Sequence, residues 1–182
     1  MKIKEANIKG IFIIEPDIFS DERGYFCEIF SSQKYKNLGI DTNFVQDNIS
    51  VSNKGVVRGL HFQVVPKAQS KLCQVLRGKV LDVAVDLRRD SPTFAEHFSI
   101  ELSEENHLQL YIPQGFAHGF AVLSDDTIFH YKCSDYYSKE HERAIRYDDP
   151  ILNINWHIKN PIVSDKDKNA ELFNDIKNQI IF

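Results

Sequence analysis

The sequence predicts an antiparallel β sandwich or small barrel rather than an alternating βαβ fold. From Leu72 onward the chain breaks into short, turn-bounded, apolar runs at 72–76, 80–87, 97–102, 108–112, 119–123 and 127–133. The clearest pair, Leu72–Leu76 and Val80–Leu87, is joined by Arg77-Gly78-Lys79, a hairpin by composition. Aromatic residues are abundant, with thirteen Phe and seven Tyr in 182 residues, which suits a β-rich interior or an aromatic-lined pocket.

Taken in order, residues 8–14 read as a strand stopped by Pro16 and Asp17. Asp21-Glu22-Arg23-Gly24 is a turn leading into a strand at 25–30, where Phe26, Glu28 and Phe30 share a face. Arg23 and Glu28 form either a surface ion pair worth ~0–1 kcal/mol or part of a site. Residues 32–38 fit one short helix, with Ser31 or Ser32 as N-cap and Gly39 at C′. The run 44–52 alternates, setting Gln46, Asn48 and Ser50 on one side, as a solvated face or as the polar wall of a pocket. In 80–87 the alternation turns Leu81, Val83, Val85 and Leu87 inward and puts Asp82 and Asp86 on the other face. Ser164 followed three residues later by Asp167 is a capping-box pattern, and Leu172, Phe173, Ile176 and Ile180 continue an amphipathic run.

No repeat or low-complexity linker divides the chain, so residues 1–182 read as one domain, large enough to bury a core. A net charge of −4 argues against general nucleic-acid binding. Cys27, Cys73 and Cys133 are odd in number and far apart, which fits free thiols in a reducing cytoplasm. Lys2 and Lys4 are not followed by a long apolar stretch, so neither a signal peptide nor a membrane span is expected.

The chemistry concentrates at Arg58-Gly59-Leu60-His61-Phe62-Gln63 and, eight residues on, Lys71. An extended chain turns His61 and Gln63 one way and Arg58, Leu60 and Phe62 the other, unless Gly59 marks a bulge that re-aims them. Imidazole exchanges protons near neutrality, so a strand-borne His beside a cation suits a general base next to an oxyanion stabiliser. A buried structural His is the bland alternative. His118 sits in a Pro- and Gly-constrained segment, Pro113 to Phe120, and Tyr131 follows on the 127–133 strand. The position two after His61 is Gln63 and two after His118 is Phe120, so the His-x-His spacing of a metal site is missing and no metal is expected. Neither GxGxxG, GxxxxGK[ST] nor GxSxG occurs. Metal-free proton transfer in a cavity remains.

Ten motifs in order carry a resemblance. Among them are Asp21-x-Arg23-Gly24-x-Phe26-x-Glu28, Gln46-Asp47-Asn48-x-Ser50, Arg58 to Gln63, Lys71-Leu72, Asp82-Val83-x-Val85-Asp86-Leu87-Arg88, Pro113 to Phe120, Tyr131-Lys132 and Ser164-x-Lys166-Asp167. From about residue 8 to residue 170 the chain resembles the dTDP-4-dehydrorhamnose 3,5-epimerases. The resemblance implies a mostly β, cupin-type antiparallel jelly-roll barrel with a few short helices, one near the C-terminus. It further implies a cytoplasmic homodimer with strand exchange, no metal and no organic cofactor, acting on a dTDP-linked 4-keto-6-deoxy sugar. By matching positions it implies His61 as proton acceptor, Tyr131 as proton donor, Asp167 as the carboxylate paired with the base, and Lys71 near the developing oxyanion. Arg23, Glu28, Gln46, Asp47, Asn48, Arg58, Lys71, His118, Glu142 and Lys166 match substrate-binding positions, and Tyr137 the aromatic that stacks on thymine. Ala95-Glu96 departs from the pattern, standing where a glycine is expected after Ser91-Pro92-Thr93, and Tyr147 stands where the family often has Trp. Alternatives are a C3- or C5-only epimerase on a related sugar, a sugar-nucleotide 3,4-ketoisomerase, a metal-dependent cupin dioxygenase, and a non-enzymatic sugar-binding jelly roll.

Overall fold

A computed structural model describes residues 1–180 and 182. The strands are β1 (Lys2–Glu5), β2 (Phe12–Glu15), β3 (Ile18–Asp21), β4 (Gly24–Cys27), β5 (Gln46–Ser52), β6 (Val57–Gln63), β7 (Lys71–Arg77), β8 (Lys79–Asp86), β9 (His97–Ser103), β10 (Gln109–Ile112), β11 (Phe116–Val122), β12 (Thr127–Cys133) and β13 (Glu142–Ala144). The helices are α1 (Ser32–Asn37), α2 (Asp165–Lys168) and α3 (Phe173–Ile176). An antiparallel six-stranded sheet runs β1-β2-β10-β7-β12-β5, and an antiparallel five-stranded sheet runs β13-β6-β11-β8-β9. Their inner faces meet in one apolar cluster: Cys73, Val75, Leu110, Ile112 and Phe129 from the first, Val80, Ala84, Phe116, Phe120 and Val122 from the second. This is the expected jelly roll, and β3–β4 stands apart from it as a two-stranded hairpin.

The expected strand at 8–14 begins only at Phe12, because residues 6–11 close a turn through Ala6 N–H to Ile11 O and Gly10 takes φ +93°. The strand at 25–30 ends at Cys27. Helix α1 lies where expected, with Gly39 at φ +91° just beyond it, although the Ser31 side chain makes no cap bond. In α2 the Ser164 hydroxyl does accept the Asp167 N–H.

Strand β8 corrects one expectation. Leu81, Val83, Val85 and Leu87 do share a face, but it points away from the barrel. Residues 145–180 cover it with Ile145, Leu152, Trp156, Val163, Phe173, Ile176 and Ile180. Asp82 shares the opposite, interior side with Val80 and Ala84, and both Asp82 and Asp86 are fully buried. With both faces covered, alternation reports the period but not which side is the inside.

Candidate active site

The site begins with an irregularity in β6. Opposite β11, His118 faces His61 and Phe120 faces Arg58, so three steps on β6 match two on β11. That is a β-bulge, and Gly59 makes it possible. Gly59 takes φ +123°, and a Cβ there would lie 2.5 Å from Gly119 Cα. The extra residue re-aims the strand so that Arg58 and His61 line one cavity, while Leu60 and Phe62 go into the core behind them.

That cavity, about 150 Å³, is lined by Ser50, Arg58, His61, Lys71, His118 and Tyr131 among others. His61, Lys71 and Tyr131 also border a second hollow of about 90 Å³, which adds Gln46, Asn48, Gln63, Tyr137 and Glu142. Two larger surface hollows, about 310 Å³ beside α1 and about 430 Å³ on the β3–β4 hairpin, contain none of the proposed acid, base or oxyanion groups.

His61 projects from the five-stranded sheet, and its Nε2 lies 2.7 Å from Asp167 Oδ1. Gly59 N–H donates to the other oxygen at 3.3 Å. Burial pushes the Asp167 carboxyl up, but His61, the Gly59 amide and Ser164 outweigh it and hold the group below the usual carboxylate value. Asp167 therefore serves both readings of its motif: its backbone N–H is capped and its side chain backs the histidine. Tyr131 comes from β12 in the facing sheet, and burial pushes its phenol up to about 12. Lys71 Nζ stands 5.7 Å from the Tyr131 ring centre. His118 is 5 % exposed, with Nε2 2.8 Å from Asp82 Oδ1. Burial lowers the His118 pKa against the opposing effect of Asp82.

The second hollow is a connected polar wall. Tyr137 O–H donates to Glu142 Oε2 at 3.0 Å, and Lys166 Nζ lies 2.6 Å from Glu142 Oε1. Burial raises the Glu142 carboxyl, and Lys166 and Tyr137 more than reverse that. Tyr137 N–H donates to Gln46 Oε1 at 3.0 Å, and Gln46 in turn donates to Asn48 Oδ1 at 3.1 Å. The row Gln46, Asn48, Ser50 is thus a pocket wall and not a solvated face.

Three expected site residues lie elsewhere. Asp47 alternates to the other side of β5, where it meets His130 at 2.9 Å and Lys132 at 2.7 Å. Arg23, 84 % exposed, pairs with Asp21 on the hairpin, and Glu28 pairs with Lys34, so Arg23 and Glu28 do not pair with each other. Conversely, Ser50, Cys133 and Asp82 belong to the site or its backing without having been named as site residues. Ser50 shared a period with Gln46 and Asn48, and Asp82 was a charge inside an apolar strand; both were signals.

A family model described as dTDP-4-dehydrorhamnose 3,5-epimerase matches residues 5–175. A Shigella flexneri protein of that name is 49 % identical over 176 residues, covering 96 % of this chain and 97 % of its own length. The crystal structure of dTDP-4-dehydrorhamnose 3,5-epimerase from Elizabethkingia anophelis NUHP1 superposes with TM-score 0.91 at 50 % identity, covering 96 % of this chain and 97 % of that one. The Legionella pneumophila dTDP-6-deoxy-D-glucose-3,5-epimerase, in complex with dTDP-4-keto-L-rhamnose, gives TM-score 0.94 at 49 % identity, covering 99 % of this chain and 96 % of that one.

Proposed function

The chain belongs to the dTDP-4-dehydrorhamnose 3,5-epimerase family, and from that premise we propose which of its residues carry the reaction. It is an isomerase that inverts C3 and C5 of dTDP-4-dehydro-6-deoxy-D-glucose, giving dTDP-4-dehydro-L-rhamnose. The C4 ketone acidifies the hydrogens on both neighbouring carbons, because the electron pair left behind delocalises as an enolate. His61 takes the proton from one face. With Nε2–H donated to Asp167, the basic atom is Nδ1, and the carboxylate supports the imidazolium that forms. Lys71 stabilises the enolate oxygen. Tyr131 returns a proton to the opposite face, and its raised pKa keeps the phenol protonated until the carbanion takes the hydrogen. Arg58 and His118 hold the sugar end; Gln46, Asn48, Tyr137, Glu142 and Lys166 hold the nucleotide.

The single observation that supports this reading is a carboxylate-backed imidazole and a part-buried phenol, from facing sheets, lining one cavity. The chain works as one domain over residues 1–182, without a metal or organic cofactor, in the cytoplasm as a homodimer. Among the described residues no helix is long and apolar enough to cross a membrane. The β3–β4 hairpin crosses to a second copy, carrying Arg23 and Glu28 into its site; Phe19, Tyr25 and Phe26 are exposed on the isolated chain, as such an exchange requires. Incubation with the 4-keto sugar nucleotide in D₂O tests the function. Deuterium at both C3 and C5 is expected. Label at one carbon only makes the enzyme a mono-epimerase, and movement of the carbonyl makes it a ketoisomerase.

A further inference from the structure

Behind the reacting groups lies a second histidine–carboxylate pair. His118 and His61 stand directly opposite on paired strands, so both imidazoles rise from the same face of the five-stranded sheet into one cavity. Asp82 Oδ1 meets His118 Nε2 at 2.8 Å, while Asp82 Oδ2 is buried and has no partner among the described residues. Cys73 Sγ is 3.7 Å from the same Nε2, and Phe129 stacks at 6.0 Å from the His118 ring. No hydrogen bond within the described residues uses His118 Nδ1.

A buried carboxylate with one empty oxygen is poor material for holding a barrel together, since its desolvation is only partly repaid by partners. Its one contact fixes something else. The carboxylate accepts Nε2–H, and so decides which ring nitrogen carries the proton and which keeps its lone pair. We propose that Asp82 is a positioning residue for the epimerisation, holding His118 so that Nδ1 accepts a hydroxyl hydrogen of the bound sugar. Asp82 does not touch the sugar. It acts through His118, by tautomer and ring orientation, as Asp167 does through His61. This rests on the epimerase reading above and adds to it a residue outside the cavity's wall.

The test uses the intact chain and two measurements. In wild-type protein with ¹⁵N-labelled histidine, the neutral His118 ring is expected as the Nε2–H tautomer; an Nδ1–H ring overturns the proposal without any variant. Asp82→Leu, close to isosteric and unable to accept, is expected to lower kcat/KM by about 10- to 100-fold, the range known for outer-shell partners that orient metal-ligating histidines. Its thermal midpoint should fall modestly, because the buried His118 Nε2–H loses its acceptor, with the protein still folded at the assay temperature. Affinity for free dTDP should stay within about twofold, because only the sugar meets His118. Asp82→Leu combined with His118→Phe should be no worse than His118→Phe alone, the coupling expected of one residue acting through the other. Additive losses, or dTDP affinity falling in step with turnover, assign Asp82 to general pocket structure and overturn the proposal. If wild type washes deuterium into the sugar and Asp82→Leu does so equally fast, the positioning role fails and the epimerase reading stands. If wild type washes in none, the epimerase reading itself fails.

Discussion

Strand β8 carries two buried aspartates four residues apart, and they are used in opposite ways. Asp86 spends every lone pair on structure: Arg88 donates Nε at 2.8 Å, Nη2 at 2.7 Å and its backbone N–H at 3.0 Å, and the Ser91 and Thr93 hydroxyls donate at 2.6 and 2.7 Å. Burial pushes its carboxyl up, and these donors more than reverse that. Asp82, equally buried, has one partner, a histidine in the cavity wall. Burial alone therefore does not distinguish a structural carboxylate from a functional one; the count and kind of donors does. Asp167 is intermediate, satisfied by a backbone amide yet aimed at His61.

Substitutions that separate activity from stability sharpen this contrast. The largest effect is expected for His61→Asn, where loss of the general base should cost about 10²–10⁴-fold in kcat. Its stability should fall by less than that of an Asp86 variant, because His61 is one-third exposed and Gly59 N–H still serves Asp167. Turnover together with thermal melting checks both halves, and substantial residual activity breaks the base assignment. Asp86→Ala should do the reverse. Stranding the part-buried Arg88 together with the Ser91 and Thr93 hydroxyls should cost about 3–5 kcal/mol, lowering Tm by roughly 6–20 °C, while the folded fraction turns over normally. Because the Asp86 pKa is lowered in the fold, its stabilisation is present above the ordinary value of 3.8 and fades as pH falls through the lower folded value. The wild-type advantage over Asp86→Ala should therefore shrink in acid, and an advantage independent of pH contradicts the ionic reading. The smallest effect belongs to the same loop. Ala95, whose N–H donates to Asp86 O, takes φ +68° in the left-handed region. Ala95→Gly should gain about 0.5–1 kcal/mol, the strain relieved less the added chain entropy, read as a Tm rise of a few degrees with unchanged kcat.

That loop also marks how far the sequence was legible. A glycine is expected after Ser91-Pro92-Thr93, and the backbone does adopt a glycine-like conformation there, with alanine tolerating it. Strand periods and the Ser164 cap could be read because each is a local pattern with a local cause. The chain does turn at 77–79, but β7 and β8 do not pair as the expected hairpin: the turn carries the chain from the six-stranded sheet to the five-stranded one, a choice of partners made by distant strands. The orientation of β8 could not be read either, since covering its outer face depends on residues 145–180 folding back from the far end of the chain. Arg58 joining His61 depended on a bulge that Gly59 permits and Gly119 accommodates from another strand. Asp47 belongs to a motif whose other members, Gln46 and Asn48, face the pocket, and the strand period turns the residue between them to the other side.

The most direct test of the two-walled mechanism is Tyr131→Phe in D₂O, with label and stereochemistry followed at C3 and C5. His61 can still remove a proton, exchange it with solvent and return deuterium to the same face. Wash-in that continues while net inversion collapses is the expected result. Equal loss of both, or inversion at the wild-type rate, contradicts an acid on one wall answering a base on the other.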